Sequence, residues 1–349
     1  MHMADALLSP AVGGGMWAAS AGTIAYCSAK VRQGLDDRKV PLMGVLGAFL
    51  FAAQMINFSI PGTGSSGHLG GGLLLAILLG PHAAFLTIAS VLVVQALFFA
   101  DGGLLALGCN IFNMGFFPAF VIYPLVYRKF IGSNPSRARQ TWVTVLCAIL
   151  GLQLGPVSVV LETVASGIAA LPFNTFLLLM LPIHLAIGVI EGLVTLAVVS
   201  FVRQARPDIL QVQPEVQTAG GNPVRRVLLA FSLVALLTGG IVSAFASKDP
   251  DGLEWAILRI TGKTELKAPP AGLHRSLAQL QEKVAILPDY GFRNSAAKTA
   301  APQQEPQSRR FNAGTSVAGV LGGLVTLLLA FLTGFLLKKR NPRKAYGIH

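Results

Sequence analysis

Charged side chains are scarce here: 12% of 349 residues, against roughly 25% in an ordinary soluble domain. A chain so poor in charge cannot clothe itself in a hydrated surface, which excludes a soluble globular protein. Cysteine is scarcer still, with Cys27, Cys109 and Cys147 each set inside an apolar stretch. Their odd number, and the lack of CxxC or Cys/His zinc spacing, exclude a disulfide framework and a thiolate metal site. No G-x-x-x-x-G-K-[ST] phosphate loop occurs, so any ATP-driven step needs a separate subunit. The first ten residues hold no Lys or Arg, so the basic start of a signal peptide is missing.

What the sequence has is length in apolar runs. The mean hydropathy is +0.63 and 53% of residues are hydrophobic. Runs near the roughly 20 residues that cross a bilayer fall at 11–29, 41–58, 71–100, 103–126, 142–169, 174–202, 227–246 and 317–337. The fold class is therefore an all-α integral membrane protein.

Basic residues set the topology. Clusters follow the first run (Lys30, Arg32, Arg38, Lys39), the fourth (Arg128, Lys129, Arg137, Arg139), the sixth (Arg203, Arg206, Arg225, Arg226) and the last (Lys338, Lys339, Arg340, Arg343, Lys344). Placing all four in the cytoplasm, as the positive-inside rule expects, requires 71–100 to cross twice, turning at Gly80-Pro81-His82. Nine spans result, with the N-terminus extracytoplasmic and the C-terminus cytoplasmic. Residues 1–202 form a seven-span domain, 203–226 a Gln-, Pro- and Gly-rich cytoplasmic linker, and 227–349 a two-span unit. That unit carries an extracytoplasmic polar segment, 247–316, with the low-complexity stretch APQQEP at 301–306.

The terminus, MHMADALLSP, holds the most informative chemistry. A free Met1 amine, the backbone nitrogen of His2 and the His2 imidazole can close a five-membered and a six-membered ring on one ion. Three nitrogens in a plane suit a tetragonal ion, Ni²⁺ or Cu²⁺. The large His2 side chain favours retention of Met1, and Ser9-Pro10 is a helix N-cap and N1 pair that keeps the tail short. A fourth donor is available on the same side, in the loop SIPGTGSSGHLGG, as His68. A site of Met1, His2 and His68 is geometrically possible. An unattached terminal histidine is the plainer alternative.

Glu162, His184 and Glu191 lie inside expected spans, where ionisable groups are costly. They serve either function or helix-to-helix pairing, with Glu162 near the outer interface. Asn110 and Asn113, in GCNIFNMG, are placed to bond across helices or to support a metal site from behind. His82, at the Gly-Pro turn, falls on the wrong side to be a ligand. Small residues recur at helical spacing in Ala18/Gly22, Ala21/Ala25/Ala29 and Ala48/Ala52, permitting close helix packing.

MHMADALLSP, the glycine loop with His68 and ALGCNIFNMG together resemble the substrate-binding (S) components of nickel/cobalt energy-coupling factor (ECF) transporters, the NikM/CbiM family. Pro250-Asp251-Gly252-Leu253-Glu254 is similar to the PDGLE signature of the small NikN companion, which is fused to the binding component in some members. The resemblance implies an ECF S-component-like domain and a square-planar metal held by the Met1 amine, the His2 amide and imidazole nitrogens, and His68. It implies a membrane coupling (T) protein and two cytoplasmic ATPase subunits as partners, with Ala48/Ala52 facing the coupling protein. Met3 and Ala4 depart from the Ile-Pro of the cobalt branch, so Ni²⁺ is the expected substrate and Co²⁺ the alternative. Two other classes remain open at this point: an intramembrane enzyme using His184 and Glu191, and an ion-driven secondary transporter.

Overall fold

The structure, a computed structural model, describes residues 2–34, 39–205, 223–292 and 313–339. Met1, most of the expected linker 203–226, the 301–306 stretch and the basic tail beyond Lys339 lie outside the described residues.

Helices dominate. They are α1 (Pro10–Gly34), α2 (Lys39–Gln54), α3 (Gly72–Leu79), α4 (Pro81–Phe99), α5 (Leu107–Ile131), α6 (Arg137–Ser166), α7 (Phe173–Ala205), α8 (Pro223–Gly240), α9 (Gly252–Thr261), α10 (Gly272–Val284) and α11 (Ala313–Lys339). One small hairpin, β1 (Phe58–Ile60) and β2 (Ser65–Gly67), pairs antiparallel with Ser59 opposite Ser66. The boundaries follow local chemistry. Ser136 caps α6 by accepting from the Arg139 amide, and Gly167 closes it in the left-handed region. The middle of α5, Phe112–Tyr127, is wound in the wider π form around Pro118 and Pro124.

Among the described residues six helices are long and apolar enough to cross a membrane: α4, α5, α6, α7, α8 with its extension to Phe245, and α11. The nine expected crossings exceed this count through three elements. α1 has 25 residues but a Gly- and Ala-rich, less apolar sequence, α2 is apolar with 16 residues, and α3 has only 8. Eight residues rise about 12 Å, well short of the ~30 Å hydrocarbon core. The break itself falls where the Gly-Pro-His turn places it. Gly80 adopts φ 80° and Pro81 starts α4. His82 packs on Tyr26, whose ring also lies 5.8 Å from the Lys30 ammonium. The turn thus sits at the basic end of α1, and the start of α1 lies at the other.

Lipid tails are as apolar as leucine, so helices in a membrane associate through close packing of small residues. Gly188 and Gly192 of α7 let it lie on the backbone of Ile149 and Val145 in α6, and Gly239 of α8 lies against Gly319 of α11. Gly44 and Gly47 of α2 receive Leu327, Phe331 and Thr326 of α11. One continuous apolar core runs from Met3 through α2, α4 and α5 into α8 and α11. Large apolar side chains on α6, α7, α8 and α11 point outward, Trp142 and Leu178 among them, as in helices surrounded by lipid. Cys27, Cys109 and Cys147 are free and buried.

Ala48 and Ala52 do not face outward. Both are buried, and the Ala48 carbonyl lies beside Gly323 while Phe51 fits against Gly322 of α11. The expectation that they face a coupling protein is corrected: both are buried within this chain, and α11 of its second unit lies over Ala48. A small-residue stripe shows that something packs there, not which partner does.

A Cβ at Gly192 would stand 2.7 Å from the Val145 Cα, whereas one at Gly14 meets nothing within 4 Å. Gly192→Ala should therefore lower the thermal unfolding midpoint of the detergent-solubilised chain, by about 1–3 kcal/mol in stability. Gly14→Ala should leave that midpoint unchanged or raise it slightly.

Candidate metal centre

The amino-terminal segment is built into the protein. Met3, Leu7 and Leu8 are fully buried, and the Met3 backbone is held at both polar groups. Its N–H donates to Asn110 Oδ1 at 2.8 Å, and its carbonyl accepts from Asn110 Nδ2 at 3.3 Å and from the Gly103 amide at 2.9 Å. Asp5 Oδ1 accepts from the Ala106 amide at 3.0 Å. Gly102, at φ 80°, and Gly103 are required here, because side chains at either position would press on His2 and Asn110 or on Asp5.

His2 is thereby pinned beside His68, the two imidazoles stacking with centroids 5.1 Å apart and planes 18° from parallel. His2 Nε2 meets Gln95 Oε1 at 3.1 Å and His2 Nδ1 meets Asp101 Oδ1 at 3.2 Å. His68 Nδ1 lies 3.1 Å from the Leu69 carbonyl. A carbonyl only accepts, so that nitrogen carries the proton and Nε2 the lone pair. Burial holds both imidazoles below the usual histidine range, His68 far below. A metal binds an imidazole through a ring nitrogen that carries no proton, so a lowered pKa favours binding.

The loop that carries His68 is fastened from several directions. Glu191, buried on α7, accepts from the Gly70 amide at 2.6 Å and the Gly71 amide at 3.1 Å. Gln54 Nε2 donates to the Gly70 carbonyl at 3.0 Å and Gln95 Nε2 to Gln54 Oε1 at 2.9 Å. Gly67 admits Ile187 and Gly71, at φ 75°, admits Leu50. A cavity with room for about one water lies under His68, lined also by Asn113, His184, Glu191 and Asp251.

The second unit closes over the same end. Each letter of its Pro-Asp-Gly-Leu-Glu motif has a task. The Pro250 carbonyl accepts from the Ser66 amide at 2.8 Å. Asp251 caps α9, accepting from the Leu253 and Glu254 amides, while Glu254 Oε2 accepts from the Asp251 amide, a capping box. Gly252 lies so close to Ile183 and His184 that a Cβ would meet them at 2.7 and 3.0 Å, and Leu253 is buried. Further along, His274 Nε2 reaches the Leu8 carbonyl at 2.8 Å, Gln281 Nε2 donates to the Gly102 carbonyl at 2.7 Å, and the Tyr290 hydroxyl donates to Asp101 Oδ2.

The remaining sequence candidates fall into supporting places. Asn110 holds Met3. Asn113 Nδ2 donates to Glu162 Oε2 at 2.8 Å and Ser158 to Glu162 Oε1 at 3.1 Å, so Glu162 is buried inside the bundle and does not reach the interface expected for it. His184 Nδ1 faces the Met180 carbonyl at 2.8 Å. Glu191 has both oxygens committed to backbone amides, so it does not serve as the carboxylate of the expected His184/Glu191 enzyme pair. Sequence reasoning missed Gln54, Gln95, Asp101 and Tyr290. The available signal was an amide inside each of two apolar runs, LFAAQMINF and VVQALFF.

Among the described residues no group of three His, Cys, Asp or Glu side chains is arranged to hold a metal. A centre here would need backbone or terminal nitrogens beside His2 and His68.

Known proteins bear on this arrangement. Residues 2–209 match the family described as "Cobalt uptake substrate-specific transmembrane region", and residues 225–339 match the PDGLE domain. Over 339 residues the chain is 31% identical to the "Putative fused nickel transport protein NikMN" of Archaeoglobus fulgidus, covering 95% of this chain and 97% of that protein. It is 30% identical to the fused nickel transport protein NikMN of Rhodobacter capsulatus, covering 83% and 88%. A crystal structure of a truncated transition metal transporter superposes with a TM-score of 0.52 at 30% identity, over 58% of this chain and 99% of that one. These relatives are metal transporters and not enzymes. The chain is a multi-pass membrane protein of the NikM/CbiM metal-uptake family, in the fused form that carries a PDGLE unit.

Proposed function

We propose that this chain is the substrate-capture subunit of an ATP-driven ECF-type importer of Ni²⁺, with Co²⁺ as the alternative substrate. The observation that carries the reading is the buried pair of histidines, His2 and His68, stacked with ring centroids 5.1 Å apart and held by an ordered terminus and an anchored loop. Two imidazoles alone are a weak site. With the Met1 amine and the His2 backbone nitrogen as further donors the site would offer four nitrogens in a plane, an arrangement that suits Ni²⁺.

Nickel is favoured by the extent of the likeness. Two relatives named as fused nickel transport proteins align along both units, covering 95% and 83% of this chain. The relatives named cobalt transport protein CbiM, one of them putative, cover 52%, 58% and 60% of it. The same site would take Co²⁺ less readily, since that ion gains less from a planar field of nitrogens.

In this reading the ion enters from outside, at the end of the bundle that holds His2, His68 and the PDGLE motif, and the basic ends of the helices are cytoplasmic. The energy comes from two ATPase subunits acting through a membrane coupling protein, because the chain has no nucleotide-binding loop of its own. The domain division follows: residues 1–202 capture the ion, 203–226 link, and 227–349 form the two-span PDGLE unit.

Calorimetric titration of the purified chain with Ni²⁺ should give one ion per chain. His2→Ala, His68→Ala and a variant with one residue added before Met1 should each lose that binding. Undiminished binding by the extended variant would remove the amine from the ligand set and redirect the search to other donors. In the same titration Glu191→Ala should weaken Ni²⁺ affinity by about 10–100-fold, the usual cost of losing a group that holds a metal ligand in place. An unchanged Kd would show that the Gly70 and Gly71 amides do not need Glu191 to present His68.

A further inference from the structure

The start of α9 needs a cap, and Asn or Ser would cap it as well as Asp does. What only Asp adds is a negative charge. The cap itself uses one oxygen of Asp251, since Oδ1 accepts from both the Leu253 amide at 2.8 Å and the Glu254 amide at 2.9 Å. Oδ2 takes no part in it.

The place of that charge is fixed by both chain neighbours of Asp251. The Pro250 carbonyl accepts from the amide of Ser66, two residues before His68. Gly252 lies against Ile183 and His184 with no room for a Cβ. Asp251 is thereby set in the wall of the cavity that it shares with His68, within electrostatic range of both His68 and His2. A carboxylate that accepts two amides at a helix start keeps its charge at neutral pH. The first unit brings a carboxylate of its own, Asp101, whose Oδ1 stands 3.2 Å from His2 Nδ1.

We infer that Asp251 is a counter-charge, supplied by the second unit, that raises the affinity of the His2 and His68 site for a divalent cation. This rests on the capture reading given above. An ion that moves from water into a buried site gives up its hydration shell, and the loss is large unless nearby charge offsets it. An amine and two imidazoles bind as uncharged donors, so permanent charge must come from residues around them. In a medium drier than water the attraction reaches beyond the ligands themselves, and a charge in the wall beside His68 acts without touching the ion. One residue of the motif therefore does two things: its Oδ1 starts α9, and its charge favours the cation. The two units contribute one such carboxylate each.

The test separates charge from capping. Native full chain, Asp251→Asn, Asp251→Ser and Asp251→Ala are titrated with Ni²⁺ in detergent by calorimetry, and the thermal unfolding midpoint of each is measured without metal. Asn and Ser keep a capping side chain and remove the charge, so both should unfold near the native midpoint and bind Ni²⁺ about 10–100-fold more weakly. Ala removes charge and cap together, and should show a similar loss of affinity with a lowered midpoint. Native-like affinity in the Asn and Ser variants would overturn the counter-charge while leaving the capture reading intact. So would an affinity that merely follows the midpoint across the three variants, since Asp251 would then be a helix cap and nothing more. A native chain that binds no Ni²⁺ would overturn the capture reading, and with it the role of Asp251.

Discussion

The position of His2 depends on the pair of hydrogen bonds by which Asn110 closes on the backbone of Met3. A terminus frays unless it is tied down, and here the tie is made at both backbone polar groups of the residue next to His2. The fully buried Met3, Leu7 and Leu8 add apolar burial, at about 25 cal/mol per Å². Burial alone would let the segment slide, and the amide pair sets its register. The π-wound stretch of α5, Phe112–Tyr127, follows directly on Asn110 and Ile111.

The PDGLE motif is a second case of local chemistry serving a distant task. Read alone, Asp-Gly-Leu-Glu is a helix start, and the structure uses it as one. Starting α9 at that point also aims the Pro250 carbonyl at the Ser66 amide and lays Gly252 against His184. A cap contributes about 1 kcal/mol to its helix. Its larger effect is to fix the angle at which the second unit meets the loop of His68.

Much of the fold was legible in the sequence because it rests on one-dimensional signals. Apolar runs gave the helices, Gly80-Pro81 gave the break between α3 and α4, and the sparse histidines His2 and His68 gave the two side chains that meet. The span count was less legible, since α3 is too short to cross and α1 is too rich in Gly and Ala to register as strongly apolar. Gln54, Gln95 and Asp101 were overlooked for another reason. An amide in an apolar run announces that it needs a partner, but the partner is set by helices that meet only in three dimensions. Ala48 and Ala52 failed in the opposite sense: the packing face was correct, and the occupant was α11 of the same chain.

The second unit reaches the histidine site through a handful of separate contacts: Pro250 to Ser66, His274 to Leu8, Gln281 to Gly102 and Tyr290 to Asp101. Between two independent chains, these bonds of about 1 kcal/mol each and the seam of α2 with α11 would have to repay the lost freedom of association, and occupancy would follow expression levels. Joined in one polypeptide, the contacts form at an effective concentration in the millimolar range. Fusion therefore fixes the stoichiometry at one PDGLE unit for each pair of histidines, and makes these polar contacts a permanent part of the wall around His2 and His68.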